Sequence, residues 1–180
     1  MGTRYAMMVV KAADITASQA LMLLGDGQWQ ASGVFSGHPV PGAYPLDEAL
    51  VGTFDAALVV VTGYHLSQLA RLRARAPSLG EGHRIVFYGV DDTTGEVAYQ
   101  HIVDGEVHCR AVAAEGEPLA EQAVGEVPES LCDERFLSDL VSMHVQADID
   151  AATFARYTES QTADAMVRKD KRGWWPFSGA

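Results

Sequence analysis

Ala56-Ala57-Leu58-Val59-Val60-Val61, running into Thr62-Gly63 and then into Leu66, Leu69, Leu72 and Ala76, is the stretch that decides how the chain reads. It is apolar at both parities, as in a strand covered on both faces, and the leucines that follow recur at helical spacing. Arg71, Arg73 and Arg75 fall in the last turns of that helix, where cations complement the dipole, and Pro77 ends it. Strand, turn, helix is therefore the first unit.

Working outward, the same unit recurs on the N-terminal side. Tyr5 to Val10 is again apolar on both parities, and Thr16 and Gln19 form a capping box before Ala17, Ala20, Leu21 and Leu24, with Gly25 closing the helix. Between the two units lie seven Gly and Pro residues from Gly27 to Pro45, which read as a long loop or a short edge strand through Trp29 to Phe35. A short helix is expected from Leu46 to Val51, between Pro45 and Gly52. On the C-terminal side Arg84 to Val90, Glu96 to Val103 and Glu106 to Ala114 form a β-meander, its second turn marked by Asp104-Gly105. From Pro128 the spacing predicts helices over 133–145, with Phe136, Leu137, Leu140 and Val141, and over 150–169, with Phe154, Tyr157 and Ala165.

The expected fold is α/β (α+β): a mixed sheet with an N-terminal β-α-β-α-β part, an antiparallel β-meander and C-terminal helices. Its core includes Val9, Leu21, Leu58, Val60, Leu69 and Phe87. The expected organisation is an α/β core domain over 1–130, helices over 131–167 and a tail over 168–180.

Composition limits what such a chain does. It has 180 residues, 48% of them hydrophobic, enough for one core, and a net charge of −11. The charge is uneven: residues 91–164 hold 17 acids against three bases, and residues 165–180 hold one acid against four bases. So acidic a chain argues against nucleic-acid binding, which needs clustered Lys and Arg. No apolar run approaches a membrane span, and the apolar part of the opening Met1 to Lys11 is too short for a signal-peptide core. Cys109 and Cys132 form no CxxC, and the expected setting is a reducing cytoplasm.

Several constellations carry possible chemistry. Indexing the hairpin from Asp104-Gly105 sets Ile102 opposite Val107 and His101 opposite His108, on a polar face with Glu106 and Arg110. His101 and His108 are thus candidate metal ligands, although spacing fixes no third ligand and a solvated sheet face is the plainer reading. Thr62, Gly63 and His65 sit where a strand enters a helix, a position that presents free N–H groups to a ligand, but no phosphate-binding glycine motif surrounds them. Gly33 to His38 fails the spacing of a serine nucleophile elbow, and Asp91 to Glu96 lacks the ligand alternation of a calcium loop. The acidic run from Glu115 to Glu134 reads as a solvated loop or as a surface for a basic partner.

The least ordinary feature is the tail. Arg168, Lys169, Lys171 and Arg172 precede Trp174, Trp175, Pro176 and Phe177, and aromatics of that size call for a cover. The sequence therefore points to a non-enzymatic interaction or assembly protein that uses its acidic face and this tail, with a protein partner or a second copy of itself. No catalytic residue and no cofactor is implied, and a membrane contact is expected only through the tail. The competing expectation is a small-molecule-binding protein or enzyme with a pocket at Thr62 to His65.

Overall fold

A computed structural model describes residues 2–37, 39, 43–54, 57–114, 117–118, 123–126, 145 and 152–160. Nine strands form one sheet: β1 (Arg4–Lys11), β2 (Gln28–Ser36), β3 (Glu48–Phe54), β4 (Ala57–Thr62), β5 (Arg84–Asp91), β6 (Glu96–Val103), β7 (Glu106–Ala114), β8 (Glu117–Pro118) and β9 (Thr153–Ser160). Their order is β2-β9-β3-β4-β1-β5-β6-β7-β8, and each of the eight pairings is antiparallel. Two helices, α1 (Ala17–Met22) and α2 (Ser67–Arg75), and a 3₁₀ turn at Ala76–Leu79 complete the described elements.

The expected mixed α/β sheet is thus corrected to an antiparallel one. The strand–helix–strand rhythm is real, but strands from elsewhere in the chain fill the gaps. β4 and β5, joined by α2, do run parallel, with β1 inserted antiparallel between them. β1 and β2, joined by α1, are likewise parallel but separated by β4, β3 and β9. These two crossovers leave from antiparallel strands and step in opposite directions along the sheet. A common hand therefore puts both helices on the same face.

Two further expectations fail. Residues 46–51 belong mainly to β3, which forms a hairpin with β4 in the register Phe54↔Ala57, rather than to a helix. Residues 153–160 form β9, a strand paired with β2 on one side and β3 on the other, rather than part of a C-terminal helix. The helix expected over 133–145 lies outside the described residues except for Val145, which is buried.

Burial on both faces follows from the two-parity strands. Met8, Val10, Leu58, Val60, Ile85 and Phe87 face the helices and pack with Leu21, Leu69 and Leu72. Met7, Val9, Val59, Val61, Val86 and Tyr88 form a second cluster on the opposite face with Val145 and Phe154. The expected core residues Val9, Leu21, Leu58, Val60, Leu69 and Phe87 are all buried. Thr16 and Gln19 form the capping box that starts α1.

The two sheet edges differ. β7 is paired with β8 at Ala113 and Ala114, and Arg110 exchanges two 2.9 Å backbone hydrogen bonds with Val124. Among the described residues nothing pairs with the outer side of β2.

Leu58 is 4% exposed in the helix-facing cluster, so Leu58→Ala is expected to cost about 2–5 kcal/mol, read from urea unfolding at unchanged m-value. A loss under about 1 kcal/mol would contradict the placement of β4 inside both layers.

Candidate functional site

A concavity among the described residues is built where α1 ends. A helix leaves its last carbonyls without partners, and α1 is only six residues long. Arg71 Nη1 donates to the Leu24 carbonyl at 3.0 Å, and Arg75 Nη1 donates to the carbonyls of Met22 and Gly25. Both guanidinium groups also meet Asp26. Arg71 and Arg75 stand one turn apart on α2, so their side chains leave on one side. Both serve the C-terminus of α1, and Arg75 also lies in the last turn of its own helix.

Below this clamp lies a cleft of about 700 Å³, whose walls include Met22, Leu23, Asp26, Trp29, Arg75 and Leu79. Met22 is 61% exposed. Trp29, at the start of β2, packs against the helix-side core, and its indole Nε1 is buried with no hydrogen-bond partner. Glu159 of β9 accepts the Gly27 N–H at 2.5 Å and so ties the loop between α1 and β2 to the neighbouring strand. A second, smaller hollow of about 290 Å³ lies between Phe35, Tyr44 and Leu50, beside the ion pair of Glu48 with Arg156.

The sequence-predicted site residues lie elsewhere. Thr62 is buried and donates its hydroxyl to the Glu48 carbonyl at 2.6 Å. Gly63 lies against the backbone of Tyr44 and Pro45, so closely that a Cβ there would collide with both, and this close approach explains the glycine. His65 Nδ1 accepts the Ser67 N–H at 3.1 Å, while Gln68 reaches back to the His65 N–H and the Gly63 carbonyl. These three residues together shape the entry to α2. Neither cleft described above includes them. Between them, Tyr64 is buried and donates its hydroxyl to Glu96, and burial first, then that bond, pushes its pKa up.

At the hairpin, Asp104 and Gly105 both have positive φ, 51° and 84°, as a type I′ turn requires. His83 secures it from the side: buried to 1% exposure, it accepts the Gly105 N–H at Nε2 over 2.9 Å, and Nδ1 meets the Gly80 carbonyl. Asp104 in turn accepts the N–H groups of Gly82 and His83.

The register runs as indexed to Ile102↔Val107 and then shifts, so that His101 pairs with Cys109 and His108 is the extra residue of a bulge. The imidazoles of His101 and His108 remain neighbours, with ring centroids 6.2 Å apart. Beyond the bulge the faces exchange, and Cys109 and Ala111 join Tyr99 on the face away from the helices. Cys109 bonds the Glu126 carbonyl, and burial, then the Glu126 charge, raises its thiol pKa. Among the described residues no group of three His, Cys, Asp or Glu side chains is placed to hold a metal ion.

Arg168, Lys169, Lys171, Arg172, Trp174, Trp175 and Phe177 lie outside the described residues, as does most of the acidic run. Among the described residues no helix is long and apolar enough to cross a membrane. No family model matches the chain, and no curated protein or solved structure matches it significantly.

Sequence reasoning missed the α1 clamp, His83 and Trp29. The four-residue spacing of Arg71 and Arg75 was the available signal for the first. Arg75→Met is expected to cost about 2 kcal/mol in chemical unfolding, because charged hydrogen bonds to backbone carbonyls are lost. Arg73→Met, at an exposed site on the same helix, should stay within about 0.5 kcal/mol. Equal costs at both positions would contradict the clamp.

Proposed function

We propose that this is an interaction and assembly protein, whose principal contact is the open edge of β2 and whose simplest partner is a second copy. The observation that carries this reading is the character of that edge. β2 is nine residues long, Gln-Trp-Gln-Ala-Ser-Gly-Val-Phe-Ser, with no charged residue and no proline, and seven of the nine are exposed. Sheet edges normally carry Lys, Pro or a cover against strand addition, and the protection evident here is one bulge between Ala31 and Gly33.

Charge supports a second copy as partner. With a net charge of −11 two copies repel overall, whereas β2 brings no charge to the contact. Antiparallel pairing of β2 with its counterpart about a twofold axis would make one self-complementary interface and continue the sheet. The acidic stretch 115–134 and the basic-aromatic stretch 168–177 add contact surfaces of opposite sign.

Val34, 72% exposed on β2, is the place to test this. Sedimentation at roughly 50 µM should show a species larger than the monomer, strengthened by salt as repulsion is screened, and Val34→Lys should return it to monomer. A monomeric parent, or assembly that survives Val34→Lys, would overturn the reading.

A further inference from the structure

We infer that the cleft under the α1 clamp receives the chain's own Trp174-Trp175-Pro176-Phe177 segment, so that the aromatic tail rests beside the base of the β2 edge. This rests on the reading of the tail as a contact segment and names the surface it meets.

Connectivity is the first argument. Ser160, the last residue of β9, is paired with Gln28, and Gln28 and Trp29 line the cleft. Ser160 therefore sits beside a residue that lines the cleft. The 14 residues from Ser160 to Trp174 reach up to about 50 Å when extended, far more than a return to the cleft requires. A tether of that length holds the segment at an effective concentration near the millimolar range, which favours the chain's own cleft over that of another molecule.

Chemistry is the second. The walls offer apolar area from Leu23, Leu79 and the 61% exposed Met22, in a volume of about 700 Å³, within the usual range of sites that bury large ligands. Trp29 adds aromatic surface to the lining. The segment is complementary: three aromatic rings to fill the volume.

Limited trypsin digestion of the full-length chain tests this, because Arg168, Lys169, Lys171 and Arg172 are cleavage sites next to the proposed anchor. Cleavage there should be about tenfold faster in Met22→Glu and in Trp174→Ala/Trp175→Ala than in the parent, and the parent's protection should not vary with protein concentration. Met22 is exposed, so its substitution should lower the melting temperature no further than Trp174→Ala/Trp175→Ala does, loss of docking being the cause the two share. In the double variant the one remaining indole N–H signal, that of Trp29, should also shift from its position in the parent. Equal cleavage in all three proteins would overturn the inference, and protection that rises with concentration would overturn docking within one chain. Assembly size measured on the same samples separates the cases: cleavage unchanged by Met22→Glu, with assembly still lost in Val34→Lys, defeats the docking site and leaves the assembly reading standing.

Discussion

Everything in this molecule is arranged around β1. Its eight residues pair along their whole length with β5 and over five positions with β4, and its six central residues, Tyr5 to Val10, are buried. A strand that is apolar on both faces needs a layer on each side. The helices supply one layer, through Leu21, Leu69 and Leu72. On the opposite face Phe154 of β9 extends the apolar surface and Val145 packs on it. By lying antiparallel between β4 and β5, β1 also spreads the crossover through α2, and the sheet then grows outward on both sides.

That growth ends differently at its two margins. On the β7 side the chain turns back on itself through β8 and Val124, and backbone groups of the edge strand find partners. On the β2 side, among the described residues, the strand is paired on its inner side with β9 and on its outer side with nothing. An edge without charge or proline is an invitation to another strand unless something covers it. The cleft where α1 meets β2 lies at the base of that same margin, so the features proposed for assembly and for tail docking are neighbours in the fold.

The parts of the fold that were legible in the sequence depend on neighbouring residues. Thr16 with Gln19, the two-parity runs at 5–10 and 57–61, and Asp104-Gly105 all act within a few positions, and each produced the element expected of it. What stayed hidden is non-local. Phe154 and Tyr157 sit three apart, as on a helix face, yet in β9 they point to opposite sides: Phe154 joins one cluster and Tyr157 packs against the other. The β-favouring Thr153, Phe154, Tyr157 and Thr158 were the competing signal. A bulge misled in the same way. Counting by twos from Val107 puts Cys109 and Ala111 on its face, and the extra residue at His108 transfers them to the far one. Of the candidate site, the proximity of His101 and His108 was legible because the turn fixes it, whereas the cleft joins a helix terminus, a strand start and a 3₁₀ turn up to 61 residues apart, from Ser18 to Leu79.

Amide hydrogen exchange read residue by residue tests the central claim, that the sheet is closed at β7 and open at β2. In dilute protein, the amides of β1 should be among the slowest to exchange, and the bonded amides of Arg110 and Val124 should be protected. Along Gln28 to Ser36 the amides facing β9 should be protected and the alternate ones should exchange freely, gaining protection as concentration rises. Uniform protection along β2 in protein dilute enough to be monomeric would show the edge already covered and would contradict the account.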